Sequence, residues 1–249
     1  MTYCVGLKLN RGLVFMSDTR TNAGVDNVSV FKKMCSWDRP GERSLTLMTA
    51  GNLATTQAVV SLLEERSKAA KERNPSILEQ PSMFQVARLI GDTLKEVIAE
   101  HGDNGQRASS TFHATILLGG QIFPGPPTLF MIYPQGNFVE ASDDTPFFQI
   151  GEAKYGRPIL VRAYDPEMSF EEAIKLLMVS FDSTIKANLS VGMPLDYQVY
   201  PADSYKTGPT ARIQADDPYF SMISDGWGLA LREAFDSLPD FEWPAEEEA

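Results

Sequence analysis

Along the first fifty residues, apolar and polar positions fall in short runs bounded by turn residues, the pattern of strands rather than helices. Tyr3–Leu9 and Leu13–Ser17 are two such runs, and the Asn10-Arg11-Gly12 turn between them makes the pair a hairpin. After a polar stretch, Thr19–Asn27, the pattern predicts strands over Val28–Trp37 and Ser44–Ala50, separated by an Asp38-Arg39-Pro40-Gly41 turn. Beyond Gly51 the period changes. Ala54, Ala58, Val59, Leu62 and Leu63 recur at helical spacing over Asn52–Ser67, and Met83, Val86, Ala87, Ile90, Leu94 and Val97 do so over Ser82–Glu100. Gly102-Asp103-Asn104-Gly105 is the expected stop of the second helix.

Strand character returns over Thr111–Leu118, Thr128–Tyr133, Phe138–Ala141 and Phe147–Ile150, with turns expected at Gly119-Gly120, Pro124–Pro127 and Pro134–Asn137. A third helix is signalled by Ser169 followed three residues later by Glu172, a capping box, with Phe170, Ile174, Leu177, Phe181 and Ile185 as its buried stripe. Leu195–Val199 and Tyr219–Ile223 read as further strands, then a short helix around Trp227–Leu238 and an acidic tail, Glu246-Glu247-Glu248. Two blocks of strands, each followed by amphipathic helices, suggest an α+β chain built as a four-layer αββα sandwich, a layout that periodicity alone does not separate from other α+β arrangements. The expectation is a single domain over residues 1–249, with 240–249 as its tail.

Composition narrows the function classes. The chain has 249 residues and a formal charge of −11, which disfavours nucleic acid as a partner. Its longest apolar runs, Ala114–Leu118 and Leu129–Tyr133, fall far short of the ~18 residues of a spanning helix, so no membrane partner is expected. Cys4 and Cys35 are the only cysteines, too few for a disulfide framework or a cysteine-rich zinc site, and no secretory leader opens the chain. A cytoplasmic location is the expectation. The two histidines, His101 in a Gly-rich loop and His113 in a strand pattern, stand at no metal-binding or triad spacing, and neither nucleotide-binding glycine motif occurs. No metal or cofactor is expected.

One residue offers chemistry without any of these. Removal of Met1 before the small Thr2 would leave a free N-terminal threonine, whose hydroxyl is the nucleophile and whose α-amine is the base. Such a site needs a buried cation to keep the amine neutral, and a carboxylate to hold that cation. Asp18 ends the strand that pairs with the one Thr2 begins, and Lys32-Lys33 lies on the next predicted strand, close enough for Lys33 to point into the same space.

These residues carry a family resemblance. Thr2, Ser17-Asp18-Thr19-Arg20, Lys32-Lys33-Met34 and Thr49-Ala50-Gly51 resemble the N-terminal half of proteasome β-type subunits and the bacterial peptidase HslV, N-terminal nucleophile hydrolases of αββα fold. Thr2-Tyr3-Cys4-Val5-Gly6, the run from Ser17 to Asp26, Ala50-Gly51-Asn52-Leu53-Ala54-Thr55-Thr56-Gln57 and Val191-Gly192-Met193-Pro194-Leu195-Asp196 are most similar to the ancestral-beta-subunit (Anbu) branch. The resemblance implies Thr2 as nucleophile, Lys33 as the cation beside it, Asp18 as the carboxylate that orients Lys33, and the Gly51 N–H as oxyanion donor. It further implies a supporting role for Ser190, and Arg20, Thr21, Thr49 and Leu53 around the substrate.

The chain departs from the family pattern at two supporting positions. The Asp expected three residues before Ser190 is Ala187, with Asn188 the nearest polar group, and a supporting Ser falls at Gly151-Glu152, where there is no hydroxyl. The expected activity is a threonine-type peptidase or amidase acting on a peptide or amide, in a homo-oligomer that closes as a ring or an open helical washer, with Trp227, Phe241 and Trp243 as contact candidates. The alternative is a structural ring protein with little or no hydrolysis. No unfoldase partner is legible in the sequence.

Overall fold

The computed structural model describes residues 2–22, 28–68, 75–102 and 112–243. In chain order the strands are β1 (Tyr3–Leu9), β2 (Gly12–Asp18), β3 (Arg20–Asn22), β4 (Val28–Val30), β5 (Met34–Arg39), β6 (Arg43–Gly51), β7 (Ala114–Ile122), β8 (Thr128–Ile132), β9 (Phe138–Glu140), β10 (Phe147–Gly151), β11 (Leu195–Pro201) and β12 (Thr210–Ile213). The helices are α1 (Leu53–Lys68), α2 (Met83–Gly102), α3 (Arg157–Ala163), α4 (Phe170–Ala187) and α5 (Pro218–Asp236). One antiparallel sheet has the order β10-β1-β2-β11-β12, a second has β5-β6-β7-β8-β9, and β3-β4 form a separate ribbon.

Alternation within single strands shows how the layers stack. On β2, where every residue is buried, Val14 and Met16 join a core with Phe181, Leu177 and Leu160 of the helices, while Leu13 and Phe15 face Met48, Leu117 and Leu129 of the other sheet. On β6, Leu45 and Leu47 instead join Val59, Val86, Ile90 and Leu94 of α1 and α2. Three apolar layers therefore separate four layers of secondary structure in the order helix, sheet, sheet, helix, as the sequence predicts. Strands buried on both faces lose the polar alternation of a half-exposed sheet, which is why these runs are nearly continuously apolar. Each fully buried Leu or Phe contributes roughly 1.5–3 kcal/mol relative to exposure.

The hairpin, both long N-terminal helices and the Ser169–Glu172 capping box occur where the pattern places them, the box with bonds of 2.9 and 3.1 Å. Several expectations are corrected. Val28–Trp37 is not one strand: the chain pairs Arg20 with Val30, breaks at 31–33, and then pairs Met34 with Met48, moving from the ribbon to the second sheet. Gly119-Gly120 lies inside β7 rather than in a turn, because a Cβ at Gly119 would lie 2.5 Å from the Phe15 ring of the facing sheet.

Tyr219–Ile223 is helical, not extended. Asp217 caps α5 by accepting from the Phe220 N–H at 2.9 Å, and Pro218 opens the first turn. Residues α3 and β12 were not expected from the pattern; β12 is held by pairing with β11 and by the Arg212–Asp196 pair at 2.7 and 2.8 Å. His101 belongs to the end of α2, and His113 is an exposed residue just before β7. The stop expected at 103–105, residue 111 of the predicted Thr111 strand start, and Glu246–Glu248 lie outside the described residues.

Candidate active site

The tight β1–β2 hairpin carries the start of β1 back beside the end of β2, with Cys4 opposite Ser17. The Tyr3 N–H donates to Asp18 Oδ1 at 2.9 Å, so the carboxylate sits directly behind the Thr2–Tyr3 peptide. Tyr3 itself is anchored: its hydroxyl bonds Ser180 at 2.7 Å and Gln149 at 2.6 Å, and its ring packs on Phe181 with centroids 4.5 Å apart. Burial pushes this phenol up to about 12.

Lys33 lies in the break between β4 and β5 rather than on a strand. From there its Nζ reaches Asp18 Oδ1 at 2.7 Å and the Arg20 carbonyl at 2.6 Å, with Asp18 0% and Lys33 6% exposed. The Lys33 carbonyl accepts from the Thr49 N–H at 3.0 Å, which ties the break to β6. Burial raises the Asp18 carboxyl above the ordinary aspartate value; the Lys33 charge and hydrogen bond and the amides of Tyr3 and Gly192 oppose it. Cys4, beside this pair, is fully buried and its thiol is pushed up by desolvation, so it is held as an inert thiol.

Thr2, half-buried, opens into a cavity of about 790 Å³. Lys33, Thr21, Thr49, Gly51 and Leu53 of the predicted residues line it, together with Lys32, Cys35, Gln57 and Gly151. Its charged lining residues are both lysines, a positive site in a chain of formal charge −11. Gln57 follows Leu53 by one helical turn on α1, so helical spacing counted from Leu53, itself named from the family resemblance, could have supplied it. A larger cavity of about 1000 Å³, between α4 and α5, contains none of the predicted site residues.

Two glycines shape the rim. Gly51 has φ +117° and a Cβ there would lie 2.4 Å from the His113 carbonyl; Gly151 has φ +83° and a Cβ would lie 1.9 Å from the Thr2 carbonyl oxygen.

Three predicted residues sit outside the cavity lining. Asp18 is behind Lys33. The Arg20 side chain turns away from the cavity, its guanidinium donating to the Leu189 carbonyl at 3.0 Å and lying over Gly192, so it is the Arg20 backbone carbonyl that meets Lys33. Ser190 enters through its backbone N–H, which donates to Asn188 Oδ1 at 2.9 Å. Asn188, next to the departing position Ala187, reaches the other departing position: Asn188 Nδ2 donates to Glu152 Oε2 at 2.9 Å, and the Glu152 N–H donates to the Thr2 carbonyl at 2.7 Å. Their separation of 36 residues hides this contact from any local reading. Among the described residues no cluster of His, Cys, Asp or Glu is placed to hold a metal, and no helix is long and apolar enough to cross a membrane.

The sequence model of the proteasome subunit family matches residues 2–193. The chain belongs to that family. Within it, this proteasome-family subunit falls on the Anbu branch: Anbu from Yersinia bercovieri superposes with a TM-score of 0.90 at 46% identity, over 98% of this chain and 100% of that one. Anbu from Hyphomicrobium sp. strain MC1 gives 0.89 and 48%, over 97% of this chain and 100% of that one. A structure described as a helical assembly of the Anbu complex from Pseudomonas aeruginosa gives 0.89 and 46%, over 99% and 100% of the two chains. Proteasome subunit beta 2 of Pyrobaculum calidifontis is 25% identical over 197 residues, 78% of this chain and 86% of its own length.

Proposed function

We propose that this subunit is a threonine-type peptidase or amidase whose nucleophile is Thr2, exposed by removal of Met1. The observation that carries the reading is that Thr2 lines the same cavity as a lysine whose Nζ lies 2.7 Å from the buried Asp18 Oδ1. The Thr2 amine takes the hydroxyl proton as Oγ attacks the amide carbonyl, and Lys33 stabilises the negative charge that develops. The Gly51 N–H, at the strand-to-helix turn, donates to the carbonyl oxygen. The amine then protonates the leaving nitrogen, an acyl ester remains on Oγ, and water, deprotonated by the same amine, releases the acid.

Thr21, Thr49 and Leu53 shape the space for the substrate side chain. Arg20 holds Lys33 through its backbone carbonyl, and Ser190 bonds Asn188 through its N–H. The setting is a cytoplasmic homo-oligomer, ring or open helical washer. The exposed apolar face of α5 that borders the α4–α5 cavity supports such assembly, with Met222 59%, Leu231 49% and Phe235 74% exposed, as do Phe241 and Trp243 at 75% and 86%. Trp227 is half-buried against the α4–α5 cavity.

A threonine-directed epoxyketone or β-lactone, followed by mass spectrometry of the N-terminal peptide, tests the reading. The expected result is an adduct on a Met-less Thr2, absent from Thr2→Ala. An intact assembly that stays unmodified while a control threonine peptidase reacts would refute it and leave the structural-ring alternative.

A further inference from the structure

The Thr2–Tyr3 peptide group is held from both sides. Its carbonyl accepts from the Glu152 N–H at 2.7 Å, and its N–H donates to Asp18 Oδ1 at 2.9 Å. From each of these contacts a line of hydrogen bonds runs outward, and the two lines meet. On one side, the Glu152 carboxylate, only 9% exposed, accepts from Asn188 Nδ2 at 2.9 Å, and Asn188 Oδ1 accepts from the Ser190 N–H at 2.9 Å. On the other, Asp18 Oδ1 accepts from Lys33 Nζ at 2.7 Å, and Lys33 Nζ donates to the Arg20 carbonyl at 2.6 Å. The Arg20 guanidinium closes the circuit by donating to the carbonyl of Leu189, between Asn188 and Ser190, at 3.0 Å.

We infer that Glu152, Asn188 and Arg20 are positioning residues, which make the 188–190 loop a brace that fixes the Thr2–Tyr3 peptide relative to Lys33. The inference rests on the catalytic reading of Thr2 for its consequence in rate. A near-attack geometry is sensitive to displacements of about 1 Å, which cost on the order of 10²-fold in rate. A nucleophile at a chain terminus is the case in which such displacement is easiest, because only one covalent connection restrains it. Here the peptide bond following the nucleophile is clamped on both of its polar groups. The clamp is referred through side chains to the same lysine that the chemistry needs. A Cβ at Gly192 would lie 2.4 Å from Arg20 Cζ, so the loop is shaped to let the guanidinium lie against it. The acid at 152 and the amide at 188 thus stand at and beside the positions where the supporting groups of the family pattern are missing.

Hydrogen exchange of the Tyr3 amide reads the brace whether or not the protein hydrolyses anything. In the assembled, Met1-processed protein, Glu152→Ala, Asn188→Ala and Arg20→Ala each lower Tyr3 protection about tenfold, the effect of losing one hydrogen bond. Glu152→Gln, which keeps an oxygen for the Asn188 amide, recovers most of it. Combining Glu152→Ala with Arg20→Ala costs less than the product of the two, because either break opens the same circuit. In kinetics the alanine variants lower kcat and Thr2 modification with little change in KM.

Wild-type Tyr3 protection in both Glu152→Ala and Arg20→Ala, or multiplicative losses in the double variant, overturns the inference. So does a Glu152→Gln protein as exchange-labile as Glu152→Ala, since the loss of the carboxylate charge, and not of the hydrogen bond to Asn188, would then account for the effect. A brace seen by exchange around a Thr2 that no electrophile modifies supports the inference and refutes the hydrolase reading instead.

Discussion

Removing one partner of the Asp18–Lys33 pair is a severe perturbation, and its size follows from burial. With the two side chains 0% and 6% exposed and 2.7 Å apart, neither charge can be resolvated by water if its partner is truncated. Asp18→Ala leaves the Lys33 ammonium with the Arg20 carbonyl as its remaining neighbour and also removes the acceptor of the Tyr3 N–H. Breaking a buried pair this way costs about 3–5 kcal/mol. At about 2–4 °C per kcal/mol for a chain of this size, Tm falls by about 6–20 °C. Lys33→Met, of similar length, leaves the carboxyl.

That carboxyl is already raised by burial, so without Lys33 it takes up a proton more readily still. The sign follows from linkage: a group bound more tightly to its proton in the native state favours folding at low pH, and this is lost as pH rises through the native pKa. The stability deficit of Lys33→Met therefore grows from acid toward neutral pH. The double variant leaves no unpaired charge and costs at least about 2 kcal/mol less than the two singles together. Urea melts at matched protein concentration, which holds any assembly equilibrium constant, measure all four proteins. Additivity within about 0.5 kcal/mol, or singles that each cost less than about 1 kcal/mol, would show that the pair is solvated and refute the argument.

The proposed step needs the Thr2 amine neutral, and a free α-amine has a value of about 7.7–8.0, so the acid limb of kcat/KM reports that amine; a pH–rate profile whose acid limb falls in the carboxylate range, near 3.8, contradicts its role as base. Gly151→Ala places a methyl carbon 1.9 Å from the Thr2 carbonyl oxygen at a φ of +83°, so Thr2 shifts and its modification by an electrophile slows by about 10²-fold, while Gly125→Ala, whose new carbon is 3.2 Å from its nearest neighbour outside the adjoining residues, leaves the rate near wild type. Leu231→Asp with Phe235→Asp puts two charges on the exposed apolar face of α5; sedimentation velocity is expected to show smaller species with the circular dichroism of the folded subunit, and an unchanged assembly would locate the contacts elsewhere.

Local pattern carries furthest where one face of an element decides its fate. The apolar stripes of α1, α2 and α4, the Ser169 cap and the β1–β2 turn are all statements about neighbours within a few residues, and each is found where the pattern puts it, except that at the start of α1 Ala54 is exposed and Thr55 and Thr56 are buried. The same reasoning turns against itself at Tyr219–Ile223. Aromatic and aliphatic positions there suggest a strand, but Asp217 and Pro218 start a helix whose apolar side stays largely exposed. Gly119-Gly120 misleads in the opposite direction, since its demand for space comes from Phe15 more than a hundred residues away.

By itself the sequence determined the layered fold class and the residue types of the site: a threonine at position 2, one carboxylate at a strand end, one lysine and one glycine at a strand-to-helix turn. The layers are suggested by short-range periodicity, Thr2 stands out through the scarcity of other catalytic groups, and the roles of the set, Gly51 included, are what the resemblance to proteasome-type subunits implies. Tertiary structure alone decided how they are held. It put Lys33 in a chain break rather than on a strand, turned the Arg20 side chain from the cavity to the Leu189 carbonyl, and brought Glu152 to Asn188 behind Thr2. Each depends on contacts between segments far apart in the chain, whose geometry is fixed by packing two sheets face to face and not by the order of residues in either.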